Sequence, residues 1–359
     1  MKPRDRIRHV MDLAGNPPDK IPYDGLIPWR SDIFTMLQKT PSSWQPPEDI
    51  YPNVPLPFIK LKIYKWKPRW DVPRKWQELR RVAMDEWGCY WNYTGNDPTK
   101  GHPGKPAFDT WDDLESWNPP DGSDPARYQF FGKASRLFPR KYKVAMLDSF
   151  LFSRCQYLRG FTQILIDFHR HANKVHELIA RIVPFYIDAI DAWMKYGPDA
   201  VFCMDDMGTQ TGLFMSPSLY DKFFKEPFRQ IVDHAREKGL KFVLHSCGKV
   251  NELVDTWLDI GVDAFQFDGP HQTGIEEMAK YAGKVCFWDV PDIQRVYPIA
   301  APGEIEREVK FMIDHLATEH GGLILRDYLG ARSVLNVPKE NIKAYRRAVK
   351  KHGKYPLDS

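Results

Sequence analysis

Between residues 142 and 352, short apolar runs alternate with longer stretches whose apolar positions recur every three or four residues. The short runs are 143–148 (KVAMLD), 200–205 (AVFCMD), 241–245 (KFVLH), 262–267 (VDAFQF), 284–289 (KVCFWD) and one opening at 322–325 (GLIL). Continuous apolar runs of this length read as strands buried on both faces. The intervening stretches predict helices over 156–169, 171–196, 217–238 (capped by Ser216), 250–260, 273–282, 303–317 and 338–352. Near the start, Ile7, Val10, Met11 and Ala14 have helical spacing, and Gly15 with Pro17-Pro18 stops that helix. Ile21-Pro22-Tyr23-Asp24-Gly25 then reads as a short strand ending in a polar turn.

Strand–helix alternation predicts a parallel sheet built from βα units. Five such units plus the Ile21 strand exceed half of a closed eight-stranded barrel. Polar residues fall just past the predicted strand ends: Asp24, Asp148, Asp205-Asp206, His245, Asp268 and Asp289. That rim is where a (β/α)8 barrel carries its active site. An open Rossmann-type sheet is the other arrangement with this pattern, but no G-x-G-x-x-G follows a strand. The expected fold is therefore one α/β domain, a (β/α)8 TIM barrel over residues 1–359.

The front end differs. Nine of the 12 tryptophans and 18 of the 30 prolines lie in the first 120 residues. Residues 28–120 read as an elaborated cap, with a helix at about 73–84 and a hairpin around 85–91. Within it, residues 60–81 carry nine basic side chains against Asp71 and Glu78, interleaved with Trp66, Trp70 and Trp76. No nucleic-acid module surrounds this stretch, so it reads as a solvated helix face over packed tryptophans, with docking of an anionic partner as a further use.

Composition narrows the class. At 43% hydrophobic, the 359-residue chain is not a disordered one. No apolar run approaches a membrane span, and the charged residues 1–15 do not read as a signal peptide. Five scattered cysteines suggest a reduced, cytoplasmic protein. A net charge of +4 is too balanced to imply nucleic acid.

Three groups carry candidate chemistry. His245-Ser246-Cys247-Gly248 places an imidazole and a thiol two residues apart at a strand end, the spacing for two zinc ligands on one side or for a core cysteine beside a hydrogen-bonded histidine. Asp205-Asp206, followed by a glycine-rich polar turn through Gln210, offers paired carboxylates for proton transfer or metal binding, or a cap and turn. Single acids at the other strand ends, Asp24, Asp148, Asp268 and Asp289, with His271 and Gln294 near the last two, each read alone as cap or turn residues and together would make an acidic, hydrogen-bonding floor. No P-loop, G-x-S-x-G or HExxH is present.

The chain resembles the uroporphyrinogen decarboxylase superfamily, in its methyltransferase branch. The resemblance rests on residues 1–6 and 18–22, the segment Asp85-Glu86-Trp87-Gly88, and above all the run from Gly197 to Asp268 with DDMGTQTG, SPSLYDKFFKEPF, HAREKG and VLHSCGKVNEL. Residues 287–294, 321–325 and 337–342 continue it. It implies a (β/α)8 barrel. The arginine-rich decarboxylase signature after the first strand is replaced here by Asp24-Gly25-Leu26-Ile27-Pro28-Trp29-Arg30. The branch also implies an H-x-C…C zinc site. His245 and Cys247 match its first two ligands, but residues 326–332 hold no cysteine. Asp206, Asp268 or Asp327 would then complete a harder site, unless no metal is bound.

A mixed site suits an oxygen leaving group better than a thiol acceptor. The resemblance therefore implies transfer of a methyl group from a methoxylated donor, an aryl methyl ether included, to the cob(I)alamin of a partner corrinoid protein. Asp205, Asp206 and His245 would be catalytic, and Tyr23, Asp24, Trp29, Gln210 and Asp289 would bind substrate. Zinc, a partner-supplied cobalamin and a small methylated substrate are the expected company, and a homodimer stays open. A cofactor-free decarboxylase or lyase, and a non-catalytic corrinoid- or tetrapyrrole-binding homologue, are the alternatives.

Overall fold

Two sheets organise the chain. The smaller has four strands: β3 (Tyr51–Pro52), β4 (Val82–Met84), β5 (Tyr90–Asn92) and β6 (His102–Pro103). The larger has eight parallel strands: β1 (Tyr23–Asp24), β2 (Ile33–Met36), β7 (Tyr142–Ser149), β8 (Ala200–Met204), β9 (Lys241–His245), β10 (Ala264–Gln266), β11 (Cys286–Asp289) and β12 (Leu323–Arg326). The computed structural model describes residues 1–13, 15–41, 51–52, 82–92, 102–328, 330–332 and 334–357.

The large sheet runs in the order β1-β12-β11-β10-β9-β8-β7-β2, so its two edges are neighbours in the chain. There the Asp32 amide donates to the Tyr23 carbonyl at 2.7 Å, and the Tyr23 amide donates to the Asp32 carboxylate at 3.0 Å. The result is a nearly closed barrel with helices between its strands, the (β/α)8 architecture expected.

Side chains alternate across each strand. Ile33, Tyr142, Val144, Phe202, Val243, Ala264, Trp288 and Ile324 pack together inside the barrel, with Ile7, Val10 and Met11 of α1 (Pro3–Asp12) in the same cluster. The same parity carries His245 two residues beyond Val243, Gln266 beyond Ala264 and Arg326 beyond Ile324 onto the inner face. The lumen is thus apolar through its body and polar at its C-terminal end.

Several expectations need correction. Strand β2 lies inside the stretch assigned to the cap, so the barrel begins its second strand there. Its four residues (IFTM) are too few for a periodic signal, and Pro28 and Pro41 flank it. The helix expected at 156–169 is two, α2 (Leu151–Arg159) and α3 (Phe161–Arg170), broken at Gly160 with φ 87°. The helix expected at 273–282 is three short turns, Pro270–Thr273, Ile275–Met278 and Ala279–Tyr281. The helix expected at 217–238 contains a π-turn, Asp221–Lys225, ahead of Pro227. Proline has no N–H to donate one turn back, so a widened turn at this point has a physical cause. The long helix α4 (Ala172–Met194), α5 (Glu226–Glu237), α6 (Val254–Ile260), α7 (Pro302–Leu316) and α8 (Lys339–His352) fall close to where periodicity puts them.

The hairpin expected around 85–91 is present: β4 and β5 pair antiparallel, with Met84 opposite Tyr90. Asp85 shapes its turn, its carboxylate accepting from the amides of Trp87 (3.0 Å) and Cys89 (2.9 Å) and from the Trp91 indole (2.9 Å). Glu86 forms a buried two-pronged ion pair with Arg127. The Trp87 ring sits edge-on to Phe185 at 4.7 Å, with the Arg154 guanidinium 4.0 Å from its centroid. Of the helix expected at 73–84, residues 82–84 are strand β4 and the rest lies outside the described residues, as does the 60–81 stretch with Trp66, Trp70 and Trp76. Among the described residues, no helix is long and apolar enough to cross a membrane.

Breaking a buried ion pair from one side leaves a stranded charge and costs about 3–5 kcal/mol. Arg127→Met should therefore lower the urea midpoint markedly, and Glu86→Gln/Arg127→Met should recover part of the loss.

Candidate functional site at the barrel mouth

The strand ends converge on one rim. Asp205 and Asp206 follow β8, Cys247 comes two residues after His245 of β9, and Asp268 comes two after Gln266 of β10. Asp24, Asp289 and Arg326 close β1, β11 and β12.

Three of these side chains meet. His245 Nε2 lies 3.4 Å from Cys247 Sγ and 3.5 Å from Asp206 Oδ1. One ligand atom from each of Asp206, His245 and Cys247 lies within 4.8 Å of the other two. The His245 ring is oriented by Gln266, whose Oε1 is 3.0 Å from Nδ1. With Nδ1–H donating there, the Nε2 lone pair faces the other two ligand atoms, the usual way a second residue prepares a metal-binding histidine.

A glycine pair makes the meeting sterically feasible. A Cβ on Gly248 (φ +89°) would lie 2.3 Å from the Gly208 carbonyl carbon, and one on Gly208 would lie 2.8 Å from the Lys249 amide nitrogen. With no side chains, the loops after β8 and β9 touch. Gly208 N–H donates to the Cys247 carbonyl at 3.2 Å, and Cys247 N–H donates to Asp206 Oδ1 at 2.9 Å.

Electrostatics separate the acids. Burial and the nearby charges of Asp206 and Asp268 push the Cys247 thiol well above its ordinary range. A divalent cation among these atoms would reverse that, since a metal-bound thiol ionises. Imidazole, thiolate and carboxylate, with an open side, are a donor set that fits Zn²⁺. Asp205 does not share the site. Its carboxylate turns back to accept from the amides of Phe152 (3.1 Å) and Ser153 (2.7 Å) at the start of α2, so the adjacent pair is split between a helix cap and the Asp206–His245–Cys247 cluster. Burial pushes Asp205 up to about 7.

The other expected residues disperse. Burial pushes Asp268 up, but the neighbouring Arg326 guanidinium and His245 outweigh it and hold its carboxyl below the usual range. It pairs with Arg326 rather than joining the metal group. Asp289 accepts from the Phe267 amide at 2.8 Å, and burial raises it to about 8. Asp24 accepts from Ser31 Oγ at 3.1 Å, and burial raises it to about 6. Asp327 is turned outward, bonded to the Tyr23 hydroxyl and to Arg346 at 2.8 Å, so neither it nor Tyr23 belongs to the group. Trp29 is 74% exposed on a turn. Gln210 bonds with Gln272 (2.7 Å) and Gln294 (3.2 Å) at the surface.

Two features escaped the sequence reading. Arg326, at the place where a third thiolate was expected, puts a buried cation at the mouth. The second is a cavity of about 450 Å3 beside Asp206. Its wall includes Tyr90, Trp91, Tyr157, Phe161 and Phe214, with Gln156 as a polar member. Trp91 meets Tyr157 edge-on at 4.8 Å, and Phe161 meets Phe214 at 5.0 Å. The only sequence signal for it was the hairpin, whose tryptophan proves to face the site.

The family named uroporphyrinogen decarboxylase (URO-D) matches residues 86–352. This chain belongs to the uroporphyrinogen decarboxylase family. Among solved structures, a methyltransferase from Methanosarcina mazei aligns over 98% of both chains with TM-score 0.61 and 15% identity, a likeness of fold. A D-psicose 3-epimerase aligns over 61% of this chain and 80% of its own (TM-score 0.38, 11% identity). No curated protein matches. The URO-D match takes in the hairpin turn from Glu86, the Asp206–His245–Cys247 group and α8.

Two outcomes follow for this family member. Zinc titrated into the protein should bind at about one ion per chain, and Gln266→Leu should weaken it roughly 10–100-fold by freeing the His245 ring. Unchanged zinc affinity in His245→Ala would remove the site. Secondly, Asp205 and Asp289 hold protons in the folded state that the unfolded chain releases near 3.8. Stability should therefore fall as pH rises from about 4 to about 8. Asp289→Asn keeps an oxygen for the Phe267 amide and should make that decline shallower in urea unfolding at pH 5, 6.5 and 8.

Proposed function

We propose that this chain is a corrinoid-dependent methyltransferase that takes a methyl group from a methoxylated aromatic compound and passes it to the cob(I)alamin of a partner corrinoid protein. The observation that carries this reading is the aromatic cavity opening on Asp206, beside His245 and Cys247. Membership of the URO-D family and the fold shared with the Methanosarcina mazei methyltransferase support it. Residues 1–359 act as one unit in this reading, the 85–91 hairpin supplying part of the substrate wall.

The reaction breaks the bond between the methyl carbon and the ether oxygen. The cob(I)alamin of the partner would accept the methyl carbon with its own electron pair, and the old bonding pair would leave on oxygen as a phenolate. An aryl ether is a poor electrophile, so stabilising that oxygen is the main demand. Trp91, Tyr157 and Phe214 would hold the ring by stacking and keep water off it. Asp206, His245 and Cys247 would hold a zinc ion, which supplies Lewis-acid stabilisation of an oxygen when bound. Gln266 fixes the His245 ring. Arg326, its charge balanced by Asp268, would offer guanidinium N–H donors at the mouth, where the departing oxygen would become negative. A mixed nitrogen, sulfur and oxygen donor set suits such an oxygen better than an all-thiolate one.

The test incubates the purified protein with a panel of methoxyarenes, a corrinoid protein and a low-potential reductant, and follows the methyl-corrinoid spectrum. Methyl transfer is expected. His245→Ala should lower kcat by about 10²–10⁴, whereas Trp91→Ala should act mainly on KM. No methyl-corrinoid from any donor, with the reductant shown to generate cob(I)alamin, would overturn the reading.

A further inference from the structure

A second hollow, about 340 Å3 in volume, lies outside the barrel between β1 and α8. Lys20, Arg30, Arg346, Lys350 and Lys354 line it, with Tyr23 at its inner wall, and no acidic side chain does. The topology explains the gap. Strands β1 and β2 are joined by residues 25–32, whose sole helical element is the three-residue turn Pro28–Arg30. No crossover helix therefore packs over β1 on this side among the described residues, and a hollow is left between β1 and α8.

The cations are held by fixed elements. Lys20 and Lys354 sit opposite each other on an antiparallel bridge. Arg346 and Lys350 are one turn apart on α8, and Arg30 ends the turn after β1. Arg346 is clamped to Asp327 through Nε (3.2 Å) and Nη2 (2.8 Å). Lys20, Arg30, Lys350 and Lys354 have no carboxylate within 4 Å among the described residues. Elsewhere on the surface, cations such as Lys225, Arg229 and Lys310 do have such partners. Like charges around one small hollow repel each other, and an anion placed between them relieves the repulsion.

We propose that this hollow is a binding site for a phosphorylated small molecule, its phosphates meeting Lys20, Arg30, Lys350 and Lys354. Tyr23 offers the one aromatic face, suited to a flat group attached to the phosphates. The site is independent of the methyl-transfer reading. It lies on the outer side of β1, away from Asp206, His245 and Cys247.

Calorimetric titration of the full chain with inorganic phosphate, pyrophosphate and ATP tests it, alongside poly-glutamate as an acidic-peptide probe. Saturable binding is expected, tightening from phosphate to the polyphosphates and weakening with added salt. Lys350→Glu/Lys354→Glu should weaken it roughly tenfold or more, while Lys133→Glu/Lys195→Glu, the same charge change elsewhere, should not. An unchanged urea midpoint in both variants serves as the folding control. Absence of saturable phosphate binding, equal weakening in both double variants, or binding of poly-glutamate alone would each overturn the proposal.

Discussion

The barrel depends on how its two sheet edges are joined, and one carboxylate does most of this. Asp32 takes the Tyr23 amide on one oxygen and Arg6 Nη1 on the other, at 3.0 and 2.7 Å. Its backbone bonds both ways, giving its N–H to Tyr23 and accepting from Tyr142 at 3.1 Å. Arg6 also pairs with Asp19. The chain's first helix, first strand and second strand are thereby fixed to one buried ion pair, and α1 is held where Ile7, Val10 and Met11 can join the inner cluster. Without that seam β1 and β2 would be open sheet edges, and the residues on the rim would have no common centre.

Given closure, strand parity decides what faces the lumen. A side chain two residues beyond an inward apolar one also points inward. His245, Gln266 and Arg326 are therefore displayed together because Val243, Ala264 and Ile324 are buried beneath them. The Asp206–His245–Cys247 cluster then needs one further condition, the contact between Gly208 and Gly248, which no side-chain-bearing residue would permit at the observed spacing. The same rim carries acids whose environments differ sharply. Asp268 is held ionised by its ion pair with Arg326, while at Asp289 burial outweighs the pull of Arg326 and pushes the carboxyl up.

The proposed chemistry joins these two layers of structure. In that proposal the barrel would supply a rigid oxygen-stabilising group, and the front-end hairpin would supply part of an aromatic wall through Trp91. Hairpin and barrel are bound by Glu86–Arg127 and by Trp87 under Arg154, so the wall is carried by the fold and does not hang from a free loop. The basic hollow beside β1 comes from the same topology, at the place where a crossover helix is missing.

By itself the sequence determined the architecture from 142 onward, because short apolar runs and helical spacing are local signals that survive into the fold. It also determined that His245 and Cys247 share a side, since two positions on one strand end need no partner to be read. Strand-end positions pointed to the rim as the place for a site, and the family resemblance drew notice to the absence of a cysteine in residues 326–332. Strand β2 was not legible, being four residues long between prolines. Nor was the divergence of Asp205 from Asp206, because sequence adjacency says nothing about which backbone amides lie within reach. Asp327 and Tyr23 were drawn toward the site by position alone, and the structure pairs them with each other on the outer side of the barrel. Arg326 and the Trp91 wall are products of tertiary contact. Which acid joins His245 and Cys247, and which aromatics enclose the cavity, depends on how loops from distant strands meet, and only closure of the barrel fixes that.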